Sequence, residues 1–315
     1  MPAFTATAPG KIILFGEHAV VYGEPAIAIP VQAVQARAIV TPHIKGQSGD
    51  IHIDAPDILL SAQLLDLDPD HPLRAAISQA AGDLPLEDLP ACRISLSSSI
   101  PISAGLGSGA AISASLIRAF SAFLGQRLTD DQVSLRAFEI EKIHHGTPSG
   151  IDNTVVSHQK PLYYRKGEKF RFLEIPTPFS ILIADSGKPG NTLNAVGQVR
   201  QGWMDDPERY NQIFTSIGKI SDNALKQIEA GSPLELGSLM DQNHDLLVEL
   251  GVSTPELDHL IQTAKNSGAL GAKLSGGGLG GHIIALIENQ ANQIAADLMA
   301  AGAVSTLVTT VGAPP

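Results

Sequence analysis

The chain has 315 residues, with 21 Lys and Arg against 32 Asp and Glu, a net charge of −11. That balance excludes a chain whose main partner is a nucleic-acid backbone or an anionic membrane, because both need a basic face. A lone cysteine, Cys92, excludes an intrachain disulfide, and 43% hydrophobic with 17% charged residues excludes a disordered chain.

Aromatic residues make up only 4%, so the core must be built from Ala, Val, Ile and Leu. No run of 18 apolar residues predicts a membrane span. The first 16 residues lack the basic-then-apolar pattern of a signal peptide. The expectation is a soluble cytoplasmic protein of about two domains.

In chain order, short strands are predicted at 4–7, 12–15, 26–29, 34–41 and 51–54, punctuated by Gly and Pro. A helix is predicted near 73–81 and an alternating strand at 92–97. Residues 105–109 open an Ala-rich helix running to about 124. Thr129-Asp130-Asp131-Gln132 is a capping box and starts a helix to about 145. Strands follow at 154–157, 162–165, 170–175 and 180–185. The stretch 193–266 is helical in pattern, broken at 205–207, 231–233 and 251–255. Strands at 272–274 and 282–287, a helix at 290–301 and a strand at 305–311 close the chain. The pattern predicts an α+β fold in two domains. Residues 1–178 form a mixed α/β domain, and 179–315 a helix-rich domain with a small antiparallel sheet.

Three glycine-containing segments carry the candidate chemistry. The middle one, Pro101 to Ala111, includes Gly105, Leu106, Gly107, Ser108, Gly109 and Ala110 between a strand and a helix. Its glycines permit close backbone approach, and the N–H groups of the following helix suit a phosphate. A tight strand-to-helix turn packed with small residues is the other reading. No stretch supplies the Lys-Ser/Thr of a Walker A loop. The last segment, Lys273-Leu274-Ser275-Gly276-Gly277-Gly278-Leu279-Gly280-Gly281-His282, contains G-x-G-x-x-G but leads into a strand. A dinucleotide fingerprint must open a helix, so a ligand-approaching loop between strands is expected instead. The first segment runs from Pro9 through Lys11, Gly16, Glu17 and His18 to Gly23, where a strand ends in charged residues.

Acid–base candidates follow the capped helix. Val133, Ala137, Ile140 and His144 share one face at 100° per residue. Glu141 lies at the edge of that face and Glu139 nearly opposite. Glu141 is therefore expected to be partly buried with a cation nearby, and Glu139 solvated. In the loop Gly146-Thr147-Pro148-Ser149-Gly150-Ile151-Asp152, Pro and Gly force a tight path that would aim Asp152 inward; turn formation is the plainer role. Glu141-x-x-His144 and Glu256-x-x-His259 do not make a di-metal bundle in so strand-rich a chain. His145, His158 and His244 are read as ordinary surface or hydrogen-bonded residues. Cys92 is expected to be a buried small hydrophobe.

Together, in this order and at this spacing, the three segments resemble the GHMP kinases, a family of small-molecule kinases, over essentially the whole chain. Within the family the motifs are nearest those of members that phosphorylate mevalonate. The Asp-Tyr-Asn expected after Glu-His in a galactose-phosphorylating member is absent. The resemblance implies a two-domain GHMP-kinase-like fold and ATP-dependent transfer to the mevalonate 5-hydroxyl, with ATP and Mg2+ as cofactors. It implies Asp152 as catalytic base and Lys11 as the cation stabilising transferred charge. It implies Glu141 and Ser108 as metal ligands. Pro101 and Gly105 to Ala111 would hold ATP, with Gly276, Gly277 and Gly278 beside them. Glu17, His18, Ser149, Gly150, Thr192 and Ser275 would lie near substrate. A homodimer is a further expectation from the resemblance.

Two departures are visible. The family commonly has a second serine in the middle loop as a Mg2+ ligand, where this chain has Gly109. Leu279 and His282 replace the more usual glycine and small residue or cysteine of the last motif. The alternatives are phosphorylation of the 3-hydroxyl, action on phosphomevalonate, or a non-catalytic nucleotide sensor. A second substrate phosphate would call for extra basic residues, for which only Lys188 and Arg200 are candidates, and a sensor would be expected to lose Lys11 or Asp152. An acidic chain that binds a triphosphate must rely on backbone N–H groups, a helix start, Lys11 and Mg2+.

Overall fold

A computed structural model describes residues 3–101, 105–145 and 148–312. In chain order these form β1 (Phe4–Phe15), β2 (Ala26–Pro42), β3 (Ile51–Ala55), β4 (Leu60–Gln63), α1 (Pro72–Ala81) and β5 (Cys92–Ser98). Next come α2 (Ser108–Phe123), α3 (Asp130–His145), α4 (Ile151–His158), β6 (Leu162–Tyr164), β7 (Arg171–Phe172) and β8 (Phe179–Asp185). The chain continues with α5 (Thr192–Asp205), α6 (Pro207–Glu229), α7 (Leu236–Glu249) and α8 (Pro255–Asn266). It ends with β9 (Gly271–Ser275), β10 (His282–Ile287), α9 (Ala291–Ala300) and β11 (Ser305–Val311).

Two compact units are interleaved along the chain. One takes the described parts of Met1–Gly10, Val34–Pro101 and Gly107–Gln159; the other takes those of Lys11–Ala33, Ile102–Leu106 and Lys160–Pro315. A single division at residue 178 therefore does not coincide with them. β1 and β2 each begin in one unit and end in the other, and the last passage falls at Gln159–Lys160.

In the first unit β5 lies parallel to β3 and antiparallel to residues 36–42 of β2, while β4 pairs antiparallel to β3. Along β5, Cys92, Ile94 and Leu96 are buried while Arg93, Ser95 and Ser97 face out, the period of two expected of a half-buried strand. Cys92 is the buried hydrophobe expected, its thiol pushed up to about 12, by burial first and then by the Asp50 charge. α2 buries Ala110, Ala111, Ala114, Leu116, Ile117 and Phe120, and its small residues let neighbouring α1 and α3 come close. The capping box forms as expected. Thr129 N–H donates to Gln132 Oε1 at 2.9 Å, and Gln132 N–H to Thr129 Oγ1 at 3.3 Å.

The strand expected at 154–157 is instead the body of α4. Thr154, Val155 and Val156 are β-branched, but tertiary packing overrides that preference. Gly150 starts the helix at φ 82, and the buried Asn153 amide donates to Ser134 O at 3.0 Å on α3. The paired strands expected at 4–7 and 12–15 are one strand, as are those at 26–29 and 34–41. Pro9 is tolerated because β1 pairs on β2 alone among the described strands.

In the second unit a four-stranded antiparallel sheet runs in the order β11-β8-β10-β9. Every residue of β10 is buried, so this strand reads as an unbroken apolar run covered on both faces. α5 to α9 bury their apolar stripes against it, with Val199, Phe214, Ile217, Leu247, Leu257, Ile261, Ile294 and Leu298 in one core. Each such side chain contributes roughly 1.5–3 kcal/mol of burial. Tyr22, from the short turn after β1, stacks on Phe214 with ring centroids 4.1 Å apart. The register sets His282, first in β10, opposite both Asp185 and Ser275, so the ends of β8 and β9 meet the loop between β9 and β10. Among the described residues no helix is long and apolar enough to cross a membrane.

Candidate active site

The second unit holds the first glycine segment from Lys11 onward and the whole of the last. β1 ends at Phe15 and turns on Gly16, whose φ of +95 only glycine adopts easily and where a Cβ would overlap Pro25 O. Glu17 follows, 3% exposed. Its carboxylate accepts from the ammonium of Lys273, a residue with no exposed surface in β9. Lys273 Nζ also donates to Leu274 O at 2.7 Å. Burial pushes the Glu17 carboxyl up and the Lys273 ammonium down, and each partner's charge opposes the other's shift.

His18 has φ +60, unusual outside glycine. Its Nε2 lies 2.9 Å from Gly277 O, so that nitrogen carries the proton and donates. Burial holds the imidazole below its ordinary pKa; the bond to Gly277 opposes this and the Lys273 charge adds to it. Ser275 Oγ donates to Ile13 O at 2.8 Å. Lys11 is 6% exposed, and its N–H donates to Leu106 O at 2.9 Å, placing the end of the middle loop against β1.

The glycines of the last loop do different things. A Cβ on Gly277 would come within 2.8 Å of Thr192 Oγ1, and one on Gly280 within 2.8 Å of Pro189 O. A Cβ on Gly278 would overlap Val252 O. Only Gly276 of these four opens on space, with nothing within 4 Å. Leu279 N–H donates to Val252 O at 2.8 Å and Gly281 N–H to Lys188 O at 2.7 Å, fixing the far side of the loop. The dinucleotide reading is thus unsupported here, since the loop joins β9 to β10.

The first unit holds the helix starts. α2 begins at Ser108 after Gly107, which has φ 73, and no side chain caps it. Ala111 N–H bonds Gly107 O at 3.0 Å, which leaves the N–H groups of Ser108, Gly109 and Ala110 ahead of the helical ladder. On α3, Val133, Ala137 and Ile140 are buried, as the helical period predicts. Glu141 is 5% exposed, while Glu139 is solvated and pairs Lys142 at 2.7 Å. A Cβ on Gly109 would stand 3.6 Å from Glu141 Oε1 and meet nothing else within 4 Å. Asp152 sits in the first turn of α4, half-buried, after the Gly150 start. An acidic side chain there suits the positive end of the helix. Ser149 is exposed and its Oγ accepts from Ile151 N–H at 3.3 Å.

Each unit thus gathers part of the expected set. Glu17, His18, Ser275, Gly276, Gly277 and Thr192 meet in one, as do Ser108, Gly109 and Glu141 in the other. Pro101 is half-buried before the middle loop, Gly105 is open with φ +74, and Leu106, Ala110 and Ala111 are buried. Ile102 to Ala104, Gly146 and Thr147 lie outside the described residues, as do the side chains of His144 and His145. His158 sits 3.2 Å from Asp131, and His244 3.2 Å from Asp258, as ordinary polar partners. Sequence reasoning set Lys273 at the head of the last segment but gave it no role. Its one signal is a lysine set between Ala272 and Leu274 in an otherwise apolar strand. Two cavities, one along α6 at Glu208, Asn211 and Lys219 and one beside Phe179 and Gly231, contain none of these residues.

The chain matches the GHMP kinases N terminal domain over residues 73–159 and the GHMP kinases C terminal region over 224–303. It belongs to the GHMP kinase family and is a kinase. It is 37% identical to a mevalonate kinase of Pyrococcus abyssi, over 94% of this chain and 92% of that protein. Its fold superposes on the Methanococcus jannaschii mevalonate kinase with a TM-score of 0.83 at 28% identity, covering 98% of each chain. An L. major mevalonate kinase solved in complex with R-mevalonate gives a TM-score of 0.81 at 28% identity, over 99% of this chain and 96% of that one.

Proposed function

We propose that the chain transfers the γ-phosphoryl group of ATP to the 5-hydroxyl of mevalonate. One observation carries the reading. A chain alignable over 94% of its length with a mevalonate kinase carries Lys11, Glu141 and Asp152 in its own sequence, and has a helix start with no side-chain cap after its middle glycine loop.

The uncapped N–H groups at the start of α2 receive phosphate oxygens, and Gly105 lets the nucleotide come close to the backbone. Lys11 brings positive charge to the transferring group. Asp152 accepts the proton of the 5-hydroxyl as its oxygen bonds to the γ-phosphorus. The bond from that phosphorus to the β–γ bridging oxygen breaks, and ADP leaves. His18 and Ser275 hold the glycine loop that orients the acid substrate, with Glu17 fixed by Lys273.

The buried Glu141 carboxylate suits Mg2+, which is held by one or two carboxylates with phosphate and water. Glu141 and Ser108 would hold it. Among the described residues no three His, Cys, Asp or Glu side chains gather as a metal cage, so phosphate and water must supply the other ligands. The ion supplies neutralisation of charge on the β- and γ-phosphates. A homodimer, implied by the resemblance, and a cytoplasmic location are part of the same proposal.

The test is ADP release from ATP and Mg2+ with mevalonate, phosphomevalonate, homoserine or galactose in turn. Mevalonate is expected to be turned over best, and Asp152→Asn to abolish turnover while ATP still binds. Turnover of another acceptor without mevalonate turnover would overturn the reading.

A further inference from the structure

A glycine loop has no side chains by which the fold can grip it. Gly276–Gly278 must therefore be held through its carbonyls and by the residues that flank it. The structure shows three such grips, all reaching the same stretch of the first segment. Ser275 Oγ donates to Ile13 O at 2.8 Å, His18 Nε2 donates to Gly277 O at 2.9 Å, and Lys273 closes on Glu17. The first two are single neutral hydrogen bonds, one between half-buried Ser275 and Ile13 and one from buried His18 to half-buried Gly277. The third joins two charged side chains with 0% and 1% exposure.

Neither charge can reach a ligand from that depth. Lys273 spends its ammonium on Glu17 and on Leu274 O, and β9 carries it between β10 and α7. Glu17 lies one residue before His18, whose backbone is held at φ +60. Fixing the Glu17 carboxylate thus fixes the point from which His18 turns toward Gly277. On the other side the loop backs onto Thr192, the first residue of α5.

We infer that Lys273 is a positioning residue of the phosphoryl-transfer site, whose closure on Glu17 sets His18 and the open Gly276 in register for the acid substrate. The inference rests on the mevalonate reading for its substrate, but not for its geometry.

The test uses Glu17→Gln, Lys273→Met and the double variant in the full chain. Each single variant leaves one buried group without its partner, and both thermal stability and activity are expected to fall. The double variant removes both charges. It is expected to regain most of the thermal stability yet keep a KM for mevalonate about tenfold above wild type, with kcat within threefold. Hydrogen exchange of backbone amides in 275–278 is expected to be faster than in wild type. A double variant with wild-type KM and wild-type exchange would make the pair structural only and overturn the inference. Raised KM with unchanged loop exchange would overturn it as well. Lys273→Arg keeps the charge but not the geometry, and covers the case in which the double variant does not fold. It is expected to raise KM severalfold with kcat nearly unchanged, and wild-type KM and exchange there would again overturn the inference. Exchange needs no substrate. A wild-type chain that ignores mevalonate, with a loosened loop in the double variant, would sink the substrate reading alone.

Discussion

The two glycine loops of this kinase use the same residue for opposite purposes. In the middle loop, a Cβ on Gly105 would meet nothing within 4 Å among the described residues, and one on Gly109 only the Glu141 carboxylate at 3.6 Å. In the last loop, Gly277, Gly278 and Gly280 are each pressed against neighbouring atoms, and only Gly276 is open. Glycine in the first case leaves open space beside the backbone. In the second it lets the chain pack on itself. A count of glycines cannot separate the two, because both need the absence of a side chain.

The strongest way to break this contrast is Gly278→Ala. The new Cβ would overlap Val252 O, and the backbone sits at φ +78. Overpacking and the left-handed backbone together are expected to cost about 3–4 kcal/mol, read by urea unfolding. A loss below about 1 kcal/mol would show that the loop yields, and that its glycines do not serve packing.

Acid should separate the loops next. The last loop is held by a buried, neutral His18, whose folded pKa is depressed by burial, and further by the Lys273 charge, against the bond to Gly277. The unfolded chain therefore takes up a proton near the ordinary value of 6.5 that the folded chain refuses. Stability is present above that value and is lost as pH falls below it, with a limiting slope of about 1.4 kcal/mol per pH unit from this residue. His244 shifts in the same direction, so the measurement is the difference between wild type and His18→Gln. The variant is expected to show the shallower fall in melting temperature between pH 7 and 5. Equal slopes would mean that His18 does not hold the loop as a neutral donor.

In the middle loop, Gly105→Ala is expected to cost only about 1 kcal/mol, the penalty of φ +74 with no clash among the described residues. Its larger effect should fall on ATP, with a KM rise of about tenfold as the methyl group occupies ligand space. Destabilisation as large as that of Gly278→Ala, with an unchanged KM for ATP, would erase the contrast.

Much of this was readable before any coordinates, and what failed to show has physical causes. Helical period alone separated buried Glu141 from solvated Glu139, because one face of α3 is apolar and the other is not. The capping box at Thr129 was legible because it is local. Lys273 was not. A lysine in a strand normally marks a solvent-facing position, and its burial follows from α7 and β10 packing on β9, which no local pattern records. Residues 154–157 misled for the same reason. Three of the four have side chains that favour strands in isolation, whereas the Gly150 start and the Asn153 bond to Ser134 make a helix of them. Pro9 and Pro30 suggested breaks where the strands run on.

The smallest effect belongs to Gly109→Ser, and it bears most directly on what the open glycines are for. Gly109 lies in the first turn of α2 with no positive φ, so serine fits the backbone there. Folding stability should change by about 0.5 kcal/mol or less, in the stabilising direction, because serine is the better helix residue. The added hydroxyl would extend from a Cβ only 3.6 Å from Glu141 Oε1. A second hard oxygen beside a buried carboxylate is what a small divalent cation prefers. The Mg2+ concentration needed for half-maximal binding of a non-hydrolysable ATP analogue, followed by calorimetry, is expected to fall severalfold. If it does not move, the space beside Gly109 is not where the ion completes its shell. If binding instead weakens, the hydroxyl has displaced a water that served the ion better, and glycine at this position is itself the adaptation.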